Sequence, residues 1–320
     1  MESENQFVSI VIPVFNEEGN IEELCSEILK VEMPINYQLK EVILIDDGST
    51  DHSAEKVLQV CKEHSQFNLI QFERNYGQTS ALSAGFNHAS GDIIICLDAD
   101  LQNKPSDIPA ILNKLTEGYD VVSGWRKDRQ DPFLRTILSK FANKLIGTVS
   151  GLYLHDYGCT LKAYKKKYLN KINLYGEMHR FIPIYLQTVG AKICEMPVSH
   201  SPRKWGQSKY GLNRTFKVLL DLLVIRFLNQ YSNRPIYLFG SVGFGCIGVS
   251  FISIATAFYN KFANDVSLIQ TPLTLLSFLS VFMGILFILL GLLAELLMRV
   301  YYESQNKATY IVKDSTLNNT

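Results

Sequence analysis

Asp98, Asp100 and Gln102 alternate at the end of an apolar run, 93–97, in a chain of 320 residues. Side chains two apart point to one side of an extended strand. Two carboxylates so placed are hard oxygen donors that suit a hard divalent cation bridging to substrate phosphates, and Gln102 extends the series with a neutral oxygen. An acidic strand-to-loop turn with no ligand would carry the same residues, so the pair takes its meaning from its company. That company is acidic: Asp46 and Asp47 follow a second apolar run, 41–45, and Glu17 and Glu18 follow a third, 8–14. Arg126 closes a fourth run, 121–125, and its planar fork can give two parallel hydrogen bonds to a phosphate. Arg129 and Arg135 come shortly after it, Arg129 as a cation that solvation alone would explain.

Further along, Asp156 precedes a Gly158-Cys159 turn, either as a reactive carboxylate or as one satisfying the turn's backbone donors. His179 lies in a charged helix start, 177–181, where a capped surface histidine is the plain expectation. The polar loop 198–210 holds Arg203, Lys204, Gly206, Ser208 and Lys209, a composition suited to gripping phosphate.

Elements that position these residues can be read from periodicity. The apolar runs read as buried strands, with a further one at 68–72. Between them lie helical patterns, one capped by Asn20 with Ile21, Leu24, Ile28 and Leu29 on one face, one started by Asp51 or Ser53, and a small-residue helix at 79–89. Gly48 permits a tight turn after the second strand. Strand alternating with helix and no hairpin signal predicts an α/β domain, Rossmann-like, with a mostly parallel sheet. Such sheets bind ligands at the carboxyl ends of their strands, where every acid above falls.

Lysine plus arginine and aspartate plus glutamate each number 31, a neutral balance that argues against nucleic acid as a partner. The six cysteines form no C-x-x-C pair, so neither a zinc site nor a disulfide framework is indicated and a reducing compartment is the simplest inference. The polar, acidic start carries no basic-then-apolar leader. Apolar mass gathers after about residue 235. The uncharged stretches 236–259 and 266–294 each exceed the roughly 20 residues that cross a bilayer core, and 260–265 between them reads as the hairpin turn. Before them, 214–229 is amphipathic and suits the membrane interface. Cations flanking the pair place both ends in the cytoplasm. The expected layout is a catalytic domain at 1–212, a juxtamembrane helix at 213–234, a membrane hairpin at 235–303 and a cytoplasmic tail at 304–320. Gly240, Gly243, Gly245 and Gly248 would allow close helix packing in a homo-oligomer.

The ordered segments Val11-Ile12-Pro13-Val14-Phe15-Asn16-Glu17-Glu18, Asp46-Asp47-Gly48-Ser49-Thr50-Asp51 and Asp98-Ala99-Asp100-Leu101-Gln102 resemble the inverting family 2 glycosyltransferases of the GT-A fold. The resemblance spans roughly residues 7–210 and implies that Pro13, Glu17 and Asp47 hold the base and ribose of a nucleotide-diphosphate sugar. It further implies that Asp98 faces ribose or metal, that Asp100 and Gln102 ligate Mg2+ or Mn2+, that Gly77 and Gln78 lie near the donor, and that Asp156 is the catalytic base. The pattern Arg203-x-x-Gly206-x-Ser208-Lys209-Tyr210 is similar to that of polyprenyl-phosphate glycosyltransferases, including dolichyl-phosphate mannose synthases. It departs from the Gln-x-x-Arg-Trp signature of processive synthases. The resemblance implies transfer to a polyprenyl phosphate, undecaprenyl or dolichyl, at the inner membrane, with UDP-glucose as donor and GDP-mannose as its alternative. Arg126, Arg135, Arg203, Ser208 and Lys209 are the candidate phosphate clamp. A hydroxyl acceptor, or a non-catalytic membrane scaffold with a nucleotide site, are the competing readings.

Overall fold

The computed structural model describes residues 5–127, 143–144, 146–148, 150–174, 178–202 and 235–304. Arg129, Arg135, Arg203, Ser208 and Lys209 lie outside them, as do the amphipathic stretch and the tail. The chain divides into two compact units, Met1–Val218 and Leu219–Thr320.

In the first unit, β1 (Gln6–Val14), β2 (Tyr37–Asp46), β3 (Phe67–Gln71), β4 (Ile93–Cys96), β5 (Val121–Trp125), β6 (Lys162–Lys165) and β7 (Ile193–Pro197) form one sheet in the order β3-β2-β1-β4-β6-β5-β7. The pairs β1/β2, β2/β3, β1/β4 and β5/β7 are parallel. β6 is antiparallel to both β4 and β5, an inversion that the strand-helix alternation does not predict. Two antiparallel steps restore β5 to the direction of β4. Arg126 therefore leaves the sheet at the edge where Asp98 leaves it, while the chain entering β6 brings residues 156–161 to that same edge.

Helices α1 (Ile21–Leu29), α2 (Ser53–Glu63), α3 (Gln78–His88), α4 (Ile108–Thr116), α5 (Lys166–Leu169) and α6 (Ile182–Thr188) accompany the sheet. α1 buries Ile21, Leu24 and Ile28 of the stripe its spacing predicts, with Cys25 beside them, whereas Leu29 is exposed over about a third of its surface, at 38%. Asn20 precedes α1 without giving it a side-chain cap; its amide donates to Glu17 Oε2 at 2.6 Å. Asp51 does serve α2, its Oδ1 accepting from Ser53 N at 3.0 Å. Each face of the sheet carries a core. Ile10, Ile12, Leu44 and Ile95 pack on one side, and Val11, Ile43, Ile45 and Ile94 on the other with α3. Strands buried on both faces read as unbroken apolar runs, which is why they were legible.

The second unit holds α7 (Ile236–Asn264) and α8 (Pro272–Ser304). α7 runs through the expected turn at 260–265 and stops only where Asp265 takes a left-handed conformation, φ 52°. Backbones approach closely at Gly243 and Gly284, where a Cβ on either would lie 2.8 Å from the other's carbonyl oxygen. Ser250 and Ser277 pair their hydroxyls at 2.8 Å between the helices. The two apolar stretches have mean hydropathy 1.9 and 2.6 with only 22% and 17% of residues buried, which suits a lipid-facing hairpin better than a protein core.

Candidate active site

β4 ends at Cys96, before either aspartate, so the alternation expected to align Asp98, Asp100 and Gln102 does not apply. Leu101 adopts φ 59°, reversing the chain, and Gln102 N donates back to Asp100 Oδ1 at 3.2 Å. The loop is then tied to the segment after β7: Asn103 bridges His200, and Ser201 N donates to Gln102 O at 2.9 Å. The acids are gathered by a turn rather than by a strand face.

Asp98 is half-buried and engaged on both oxygens, by Gln78 Nε2 at 2.9 Å and by Thr160 Oγ1 at 2.6 Å. Loss of water, followed by the charge of Asp100, pushes its pKa up to about 6. Asp100 is buried as well. The crowded carboxylates Asp98 and Asp100 form a donor set that a divalent cation would relieve, and all candidate donors are oxygens.

Asp47 is buried and saturated. It accepts from Tyr76 N at 2.7 Å, Gly77 N at 2.9 Å and Asn75 Nδ2 at 3.0 Å, so it shapes the loop that leads to Gln78. Burial raises its pKa against those bonds. Its neighbour Asp46 is fully buried, with Oδ1 on Ser49 N and Oδ2 without a partner among the described residues. Pro13, one residue before the end of β1, pairs with Ile45, and Glu17 N donates to Ser53 Oγ at 2.9 Å.

On the other flank, Asp156 and Arg126 form a two-point ion pair, Nε to Oδ2 at 2.7 Å and Nη2 to Oδ1 at 3.1 Å, with side chains 4% and 13% exposed. Burial works against the guanidinium's charge, but the hydrogen bonds and charge of Asp156 outweigh it and raise the arginine's pKa. Gly158 N also donates to Asp156 Oδ1, at 3.0 Å. Glu195 of β7 holds the backbone from behind, accepting from His155 N and Asp156 N, each at 2.9 Å. His155 stacks on Trp125 with centroids 4.3 Å apart.

His179 is not at the surface. It is half-buried, its Nδ1 is 2.8 Å from Thr79 Oγ1 beside Gln78, and burial followed by the charge of Arg180 pushes its pKa down to about 3. Thr160 and Glu195 escaped the sequence reading because each acts through a partner distant in the chain, and Lys162 because its partners are backbone carbonyls.

The fold is that of GT-A enzymes. Glucosyl-3-phosphoglycerate synthase from Mycobacterium tuberculosis, solved with Mn2+, UDP and glucosyl-3-phosphoglycerate, superposes with TM-score 0.54 at 17% identity over 70% of this chain and 80% of that one. The chain belongs to glycosyl transferase family 2, whose model matches residues 9–173, and is a glycosyltransferase. Dodecaprenyl-phosphate galacturonate synthase from Rhizobium johnstonii is 39% identical over 96% of this chain and 92% of its own. Undecaprenyl-phosphate 4-deoxy-4-formamido-L-arabinose transferase from Edwardsiella ictaluri is 36% identical over 97% and 94%.

Proposed function

We propose that this enzyme transfers a sugar from a nucleotide diphosphate to a polyprenyl phosphate at the cytoplasmic face of a membrane, with inversion at the anomeric carbon. The observation that carries the reading is the Arg126–Asp156 pair. A hydroxyl acceptor must lose its proton as it attacks and needs a positioned base. Here the carboxylate expected in that role is spent on an arginine. A phosphate monoester, with a second pKa near ~6, is already largely dianionic at neutral pH and needs charge compensation instead. Arg126, aimed by Asp156, supplies part of it, together with Arg135, Arg203, Ser208 and Lys209.

Relatives that act on dodecaprenyl and undecaprenyl phosphate match the chain through its hairpin, which supports a lipid acceptor and membrane attachment. Their sugars are a galacturonate and a formamido-arabinose, so UDP-glucose, the donor the resemblance implies, stands among several. Asp100, with Gln102 and Asp98, would hold Mg2+ or Mn2+, which neutralises the diphosphate as the glycosidic bond breaks. Glu17 and Asp47 order the loops on which the nucleoside would rest.

The test is transfer by the full chain in detergent. UDP-glucose, UDP-galacturonate, UDP-4-deoxy-4-formamido-L-arabinose and GDP-mannose are each offered with a short polyprenyl phosphate and with the matching polyprenol. Metal-dependent product on the phosphate alone is expected, together with loss of turnover in Asp100→Ala. Product on the polyprenol would favour the hydroxyl reading, and no product with any donor would favour the scaffold.

A further inference from the structure

Lys162 opens β6 in register with Cys96 of β4 on one side and Ser123 of β5 on the other. Only 3% exposed, it sits beneath the carboxyl edge between the two halves of the site. A buried ammonium is costly unless its protons are taken up, and no carboxylate is within ion-pair distance of this one among the described residues. It donates instead to two backbone carbonyls, Tyr157 O at 3.1 Å and Cys159 O. Those carbonyls belong to the turn 156–160. One end of that turn carries Asp156, which holds Arg126 on the acceptor side. Its other end carries Thr160, which holds Asp98 on the donor side.

We infer that Lys162 is a positioning residue that fixes this turn, and through it sets the separation of the Arg126 guanidinium from the Asp98–Asp100 loop. The inference rests on the functional reading above. It adds that donor and acceptor flanks are registered by one buried cation that touches neither substrate. In-line attack requires the reacting groups to be held within a fraction of an ångström, and a 1 Å displacement remote from the chemistry costs about 10²-fold in rate.

Full-length protein carrying Lys162→Met, Lys162→Arg, Thr160→Val, or Lys162→Met with Thr160→Val is compared with wild type. The two readouts are steady-state transfer to a short polyprenyl phosphate and amide hydrogen exchange across 156–161. In Lys162→Met, kcat is expected to fall about 10²-fold with donor KM little changed, and exchange to quicken in the turn but not in α1 or α2. Lys162→Arg, which can still donate to both carbonyls, should recover most of both properties. Thr160→Val should cost far less on the Lys162→Met background than on wild type, because the two act through one turn. Exchange that rises throughout the domain, no rescue by arginine, or additive losses would each overturn the inference. If Lys162→Met yields no folded protein, Lys162→Gln, with two N–H donors on a shorter, uncharged stem, is read instead: a partial loss of kcat with quickened exchange confined to 156–161 is expected, and wild-type values of both would overturn the inference. Wild-type protein that transfers to no polyprenyl phosphate would defeat the functional reading alone, and the exchange pattern of the turn would then decide this one.

Discussion

At the scale of single residues the site is governed by which carboxylates are already spent. Asp156 binds Arg126 at two points with both side chains buried, so removing either partner strands a charge. Such a loss costs about 3–5 kcal/mol, and Asp156→Ala should lower the denaturation midpoint markedly. Asp156→Asn keeps an acceptor oxygen for the guanidinium. It should retain measurable transfer whose rate rises little above neutral pH, which a pH-rate profile would check; a steep loss of rate toward low pH confined to the wild type would restore Asp156 as a base. His179 offers a second test, with a definite sign. Its folded pKa of about 3 lies below the ordinary value near ~6.5, so between those values the unfolded chain binds a proton that the folded one refuses. The stability it contributes is complete above about pH 6.5 and is lost as pH falls toward 3, by at most about 1.4 kcal/mol per pH unit. Asp98, raised to about 6, acts with the opposite sign between its ordinary value and 6, but equally in both proteins. Thermal midpoints of wild type and His179→Gln between pH 7 and 4 should therefore converge on the acid side, with the wild type falling faster. Parallel curves would mean that the imidazole titrates normally.

At the scale of elements, the loops after β2 and β3 interlock through one glycine. Gly48 has φ 69°, and a Cβ there would meet Arg74 C at 2.4 Å and Asn75 N at 2.6 Å, both backbone atoms that cannot swing aside. Gly48→Ala should displace the 74–77 loop, loosen the bonds of Asp47, and weaken donor binding more than it slows turnover at saturation; an unchanged donor KM would show that the loop does not bear on the donor. The same scale explains what could be read in advance. β1, β2, β4 and β5 are apolar runs ending in polar clusters, and their order along the chain was enough to place Asp98 and Arg126 at one edge. β6, with the sequence KAYK, carries lysines at both ends and has no apolar period. It is a strand because Lys162 finds carbonyls and Lys165 pairs with Asp120 at 2.9 Å, contacts made only after folding. The antiparallel inversion was hidden for that reason, and with it the company of Asp156, whose partner lies 30 residues away. The turn at Leu101 was equally hidden, since a left-handed leucine has no local signature.

At the scale of the whole molecule, the question is whether the hairpin contributes to folding or to the meeting with substrate. Among the described residues of the first unit, both cores are built from side chains between Val8 and Val198. A domain folds around its own core, so truncation after residue 234 leaves in place every described side chain of these two clusters. The truncated chain should fold, bind nucleotide and keep a thermal midpoint close to that of the full protein. Its acceptor kinetics should divide by chain length. A short, water-soluble polyprenyl phosphate reaches the site by diffusion and should be used nearly as well as before. A long-chain acceptor is confined to the bilayer, where an attached enzyme meets it at high effective concentration and a free one does not. Transfer to long-chain acceptor in vesicles should therefore fall by orders of magnitude more than transfer to the soluble analogue. Equal losses on both acceptors would instead make the hairpin part of the catalytic apparatus, and an unfolded truncation product would make it part of the fold.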